Sequence, residues 1–176
     1  MKRLLLSLAL ILVACGARAE LLIEIIEGVD NPTTIAVSPF AWRGAGAGSE
    51  DIAQVVQGDL ARSGQFAPVD RKDMLSRPGT EKEVFYRDWR AISAEYLLIG
   101  RVATSDQMRI EFELFDVNRQ TRVLEGVESG PVSEARMLAH RVSDQVYEKL
   151  TGIRGAFATR LLYVSVIRNP GSKDYY

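Results

Sequence analysis

A single cysteine, Cys15, and a single histidine, His140, are all that 176 residues offer of the two commonest soft ligands. A lone thiol closes no disulfide within the chain, and no CxxC, HExxH or GxSxG spacing occurs, so zinc and thiol chemistry lack their ligand sets. With one histidine, a histidine-based triad would have to draw its partners from distant sequence. His140 sits on a long predicted helix beside charged residues and reads as a solvated or interface side chain. Neither sign of charge is in excess: 22 Lys and Arg stand against 23 Asp and Glu, a net charge of −1. No basic stripe interrupts that balance, which makes nucleic acid a poor partner. Long apolar runs are missing too. The longest, Leu4 to Ala14, falls short of the ~20 residues a membrane-spanning helix needs.

What is present at the N-terminus is an export signal. Basic Lys2 and Arg3 precede the apolar run, and small residues close it at Ala17-Arg18-Ala19. Two cuts are open. Cleavage between Ala19 and Glu20 meets the small-residue demand of signal peptidase and releases a chain that has lost its cysteine. The competing reading takes Leu12-Val13-Ala14-Cys15 as a lipobox, with Cys15 lipidated and Gly16 to Ala19 as a very short tether. The first cut is the expectation, with residues 1–19 as signal peptide and 19 basic against 23 acidic residues left behind. Export leads to an oxidising compartment, yet that chain has no thiol and relies on an ordinary hydrophobic core, which its length can build.

Residues 21 to 27, LLIEIIE, are apolar and β-branched and are followed by the turn-forming GVDNP. They predict a short N-terminal strand able to join its own sheet or the sheet edge of a partner. A second strand is expected from Thr34 to Phe40. After the glycine-rich loop Arg43 to Gly48 comes a helix with Ser49 as N-cap, Glu50 and Asp51 in its first turn, apolar Ile52, Val55, Val56 and Leu60, and Gly64 as stop. Gln65 to Asp70 reads as a short edge strand, because Pro68 cannot donate to a ladder. YRDWRAIS gives a short helix with Trp89 and Ile92 inward. The apolar run Tyr96 to Ile99 reads as a central strand buried on both faces, beginning to leave the core at Gly100 and Arg101. Met108, Ile110, Phe112 and Leu114 alternate with Arg109, Glu111 and Glu113, the pattern of a half-exposed strand antiparallel to its neighbour across Ser105-Asp106. TRVLEGVES completes this hairpin-rich part after a turn at Asn118. A long helix from about Ser133 to Leu150 carries the stripe Ala135, Leu138, Val142, Val146 and Leu150 and ends at Gly152. One α/β domain of about 130 residues accounts for these elements, and a further strand from Leu161, LLYVSVIR, has no place in it.

The strand, glycine loop and helix from Ile35 to Val56, with Asp70 after the next strand, have the outline of a dinucleotide site. The glycines fall as GxGxG where GxGxxG is required, and Glu50 and Asp51 would repel phosphate at the helix start. The loop therefore reads as a capped connection, and neither a cofactor nor a small-molecule substrate is expected. Glu111 with Glu113 and Glu81 with Glu83 sit on faces or loops that read as exposed, whereas paired acids for proton transfer need burial to separate their pKa values. Trp42 reads as a lid over the core. No catalytic residue, metal ligand or enzymatic activity is predicted.

The assembled pieces resemble the TolB family of the Tol-Pal system, specifically its N-terminal domain. The residues that carry the resemblance are IEIIEGVDNPTTIAVSPFAW, EDIAQVVQGDLARSGQFAPVDR, YLLIGRV and above all VSDQVYEKLTGIRGAFATRLLYV, which joins the last helix to a linker and a strand. The resemblance implies a mixed five-stranded sheet flanked by helices, like the anticodon-binding-domain fold, over residues 20–154. It further implies that residues 155–176 are a linker and the first strand of a β-propeller, with Leu161 to Arg168 an orphan blade strand of a propeller this sequence does not contain. Either the sequence is a piece of a longer protein or another chain supplies the rest. In the family the propeller binds the lipoprotein Pal, which is therefore not expected of these residues alone, and the N-terminal strand binds TolA. By that carry-over the TolA-binding residues are Glu20, Leu21, Leu22, Ile23, Glu24, Ile25, Ile26 and Glu27. The implied role is a non-enzymatic periplasmic adaptor that maintains outer-membrane integrity and constriction during cell division. The alternative is an outer-membrane lipoprotein anchored at Cys15 and accessory to envelope assembly.

Overall fold

A computed structural model describes residues 31–43, 50–160, 162, 164, 166–169 and 172–175. The expected signal peptide, Cys15, the predicted strand Glu20 to Glu27, most of the glycine-rich loop and Ser49 lie outside the described residues.

Six strands form one mixed sheet: β1 (Thr33–Val37), β2 (Ala41–Arg43), β3 (Phe66–Pro68), β4 (Tyr96–Thr104), β5 (Met108–Asp116) and β6 (Thr121–Gly130). Its spatial order is β3-β1-β4-β5-β6, with the short β2 continuing the β1 side of β4. The helices are α1 (Ile52–Arg62), α2 (Tyr86–Ala91) and α3 (Ala135–Thr151). β3 and β4 pair in parallel with opposite edges of β1. Parallel crossovers are right-handed, so connections that travel in opposite directions across the sheet pass over opposite faces. That is why α1 covers one face while α2 covers the other. The β4-β5-β6 meander is antiparallel, with Leu98 facing Leu114 and Leu114 facing Leu124, and α3 then returns over the α1 face.

The expected five-stranded sheet is present, with β2 added at the top of β4 because the strand expected from Thr34 to Phe40 breaks at Ser38 and Pro39. Pro39 has no N–H to give a ladder, and Ser38 turns its hydroxyl to the carbonyl of Pro78 at 3.2 Å. β4 runs on to Thr104 and begins to leave the core after Gly100, as expected, with Arg101 half-buried, Val102 buried and Ala103 exposed. Gly100 is also the seat of the Phe40 ring, where a Cβ would come within 2.5 Å of that ring.

Two cores follow from the alternation of side chains across the strands. Ile35, Val37, Leu98, Ile110, Phe112 and Leu114 meet the stripes of α1 and α3, including Val56, Leu60, Leu138, Val142 and Val146. On the other face Ala36, Leu97, Ile99, Phe115 and Val117 meet Trp89 and Ala94. Leu150, the last member of the predicted α3 stripe, is half-buried and packs against the first core. Gly152 closes α3 in the left-handed conformation, as its position after Thr151 predicts.

The strand expected from Leu161 is shorter and is paired. β7 (Val166–Asn169) and β8 (Ser172–Tyr175) form a two-stranded antiparallel ladder of their own, separate from the six-stranded sheet. β7 is thus paired in antiparallel with the strand that follows it, Asn169 facing Ser172.

Candidate functional site

The most concentrated polar cluster lies between α1 and α3. Asp59 projects from α1 into the helical layer and is 1 % exposed. Its Oδ2 accepts from the Ser143 hydroxyl at 2.7 Å and lies 2.6 Å from His140 Nδ1. Its Oδ1 accepts from Arg62, one turn along α1, at 2.5 Å. A carboxylate only accepts, so the ring nitrogen facing it carries the hydrogen. Helical spacing explains the convergence: Asp59 and Arg62 are i and i+3 on α1, while His140 and Ser143 are i and i+3 on α3. Each helix presents an adjacent pair to the other.

Serine, histidine and aspartate in contact raise the question of nucleophilic catalysis, and the wiring answers it. In a catalytic triad the histidine stands between the acid and the hydroxyl, taking the proton of the latter. Here both Ser143 and His140 point at Asp59, and the second neighbour of the Ser143 hydroxyl is the Ala139 carbonyl at 3.1 Å. Ser143 is fully buried, beyond reach of a substrate. The cluster is a polar staple between two helices. Reading His140 as solvated or interfacial is therefore corrected, since its side chain is only 18 % exposed and is spent on Asp59. The missed signal is Asp59 itself, a charge three positions after Val56 and one before Leu60 on an otherwise apolar face.

A second polar arrangement covers the open end of the other sheet face. Arg101 on β4 bonds Glu111 through Nη2 at 2.9 Å, Glu113 at 3.5 Å and the Gly79 carbonyl at 3.1 Å. Arg122 on β6 reaches Glu113 at 3.2 Å, Glu125 at 3.2 Å and Glu81 at 3.5 Å. The Arg109 and Arg101 guanidiniums beside Glu111 hold its carboxyl below the usual range. Glu113 is 8 % exposed, so the expectation of an exposed Glu111 and Glu113 pair fails for Glu113. The segment from Gly79 to Glu83 folds over this face and carries Glu81 to Arg122, which closes off Glu113. Glu83 accepts from the backbone N–H groups of Gly79 and Thr80, and the first of these bonds chiefly lowers its pKa. With an arginine on each of Glu81, Glu111, Glu113 and Glu125, this lattice suits cross-strand pairing rather than proton donation.

Around the glycine-rich loop, α1 begins at Ile52 and Asp51 is its N-cap, its Oδ1 accepting from Gln54 N–H at 3.0 Å. This corrects the placement of Ser49 at the cap and of Asp51 in the first turn. Arg71 holds Asp51 at 2.5 and 2.9 Å and is the main reason its pKa is lowered. Glu50 pairs with Arg136 at 2.9 Å, and Asp70 caps the single turn Arg71–Asp73. Acids therefore occupy the helix N-terminus where a phosphate would bind. Trp42 is half-buried and packs against the first core, as a lid does. Among the described residues no group of three or more metal-ligating side chains converges, and no helix is long and apolar enough to cross a membrane.

Fold and clusters together define a mixed-sheet α/β domain whose buried polar groups hold its own layers. The sequence model of the TolB amino-terminal domain family matches residues 21–123. The chain is 51% identical over 154 residues to the Tol-Pal system protein TolB of Marinomonas sp. and 42% identical over 164 residues to that of Pseudomonas fluorescens. Those matches take in 85% and 90% of this chain but 35% and 38% of the relatives. The crystal structure of TolB from Acinetobacter baumannii superposes with a TM-score of 0.66 at 31% identity, over 85% of this chain and 35% of that one. The chain belongs to the TolB family, and it spans little more than a third of the length of these relatives.

Proposed function

We propose that this chain is an adaptor domain of the Tol-Pal system, acting in the periplasm by protein contacts and without catalysis. Its N-terminal segment Glu20 to Glu27 binds TolA as an added strand, in support of outer-membrane integrity and constriction during division. Residues 1–19 direct export, residues 20–154 form the adaptor domain, and residues 155–176 lead toward a propeller through which Pal would be bound. The observation that carries this reading is the family match beginning at residue 21, inside the apolar segment whose composition suits strand addition. A segment with two possible sheet partners can be shifted between them by an event elsewhere, in proportion to its preference for each.

Deleting residues 20–30 and titrating the purified chain with TolA tests the assignment. The expected result is loss of TolA binding with unchanged circular dichroism and melting temperature. Undiminished affinity in the deleted chain refutes the role of this strand.

A further inference from the structure

Asp144 has a task unlike that of Glu148, the other acid on α3. It lies in the middle of the helix, half-buried, and its oxygens accept backbone N–H groups from outside it. Phe157 N–H donates to Oδ1 at 2.7 Å and Ala158 N–H donates to Oδ2 at 3.2 Å. The segment after Gly152 is thereby folded back against the helix it has just left. Its apolar grip is aromatic: Phe157 meets Tyr147 edge to face at 5.6 Å, and Tyr147 meets Phe66 of β3 in the same way at 6.1 Å. Phe66 belongs to the main core, so a chain of contacts runs from the core to the departing segment. Gly155 permits the approach, because a Cβ there would fall 2.4 Å from the Asp144 backbone. Thr159 closes the segment with a turn, its hydroxyl donating to the Ala156 carbonyl at 2.7 Å.

The geometry points to a latch: Asp144 and Tyr147 hold residues 155–158 on α3 and fix the direction in which the chain leaves the α/β domain. A polar linker without such ties would sample many directions. Two N–H groups on one carboxylate, an edge-to-face ring pair and a steric requirement for glycine all select one. Whatever follows Thr159 is then carried with α3 as one body, and opening the latch frees it without unfolding the sheet. This inference is independent of TolA binding, because it concerns contacts at the opposite end of the domain's sequence.

Limited trypsin digestion of the purified chain tests it, since Arg154 and Arg160 are exposed and flank the latch. Proteases cut segments that open locally, so the cleavage rate reports the open population. Cleavage at these two arginines is followed by mass spectrometry against a synthetic peptide of residues 150–164. The wild-type chain is expected to be cut at least tenfold more slowly than the peptide, and Asp144→Ala to lose that protection. Gly155→Val should lose it equally while leaving every α3 side chain in place, and both variants should melt with the wild type. Should Asp144→Ala unfold, Gly155→Val decides alone. Wild-type cleavage at the peptide rate, or retained protection in a folded variant, overturns the latch.

Discussion

The two faces of the sheet solve the same problem with opposite materials. The α1 and α3 face is almost wholly apolar and admits one cluster of polar groups, centred on Asp59. The other face is apolar only where α2 and its flanking loop cover it, and its open end carries a lattice of three arginines and several glutamates. A buried polar group with every partner in place specifies one arrangement, and losing a partner leaves the rest unsatisfied where water cannot reach. Where the lattice is half-exposed, at Glu111, Arg122 and Glu125, water can substitute for a lost partner, so single losses there are absorbed. Number of contacts is therefore a poor guide to importance here: one carboxylate in the dry layer outweighs several at the open end.

Replacing Asp59 by alanine is the most severe test of that contrast. It removes the acceptor of Ser143, His140 and Arg62 together and opens a small void between α1 and α3. Leaving buried donors unpaired costs about 1–3 kcal/mol each, less what relaxation recovers, for an expected loss of about 3 kcal/mol. Chemical denaturation with an unchanged m-value should show it. A loss under about 1 kcal/mol would mean that the staple can be hydrated, and the contrast between the faces would collapse. Asp59→Asn keeps one acceptor and should fall between alanine and wild type.

How far each face was legible in the sequence follows the same division. Alternation in β5, the stripe of α3, the Pro68 edge strand and the Gly152 stop are local patterns, and they predict elements that the structure contains. Ser49 and Asp51 were separable only by tertiary context, because either can cap a helix, and Arg71 favours Asp51 from twenty residues away. Glu113 read as exposed because alternation places it opposite the apolar stripe. Nothing local says that residues 79–83 will fold over that side. Asp59 and His140 stand 81 residues apart, and only the packing of α1 on α3 makes them partners. The latch at Asp144 was hidden similarly, since a mid-helix acid looks the same whether it faces water or the N–H groups of a returning chain. The TolA-binding assignment to Glu20–Glu27 comes from family resemblance and stands as a proposal.

Arg101 sharpens the comparison at an intermediate scale. Its guanidinium joins Glu111, Glu113 and the Gly79 carbonyl while its side chain is 22 % exposed. Arg101→Met keeps the apolar stem along β4 and deletes the charge. Glu113 retains Arg122 at 3.2 Å, and water replaces the other bonds, so the expected cost is about 1 kcal/mol, measured in the same denaturation assay. A cost equal to that of Asp59→Ala would show that the segment from Gly79 to Glu83 depends on this one side chain, and that the open face behaves as a second closed core.

Glu111 should give the smallest effect and one with a distinctive pH dependence. Its carboxyl is held below the usual range, first by the hydrogen bond from Arg109 and then by that from Arg101. A carboxylate whose folded pKa lies below its unfolded one adds stability above the unfolded value, near pH 4 for a glutamate, and loses it as pH falls through the folded value. Glu111→Gln should therefore cost a few tenths of a kcal/mol at pH 7, and the difference should shrink as pH falls through the folded value, where the wild-type carboxyl becomes as neutral as the amide. Raising the salt concentration at pH 7 should shrink the difference as well, because the pairs are partly open to solvent. A difference that survived acid would place the contribution of Glu111 in the packing of its stem rather than in its charge. In that event the lattice on the open face would have to be regarded as shape complementarity carried by charged residues.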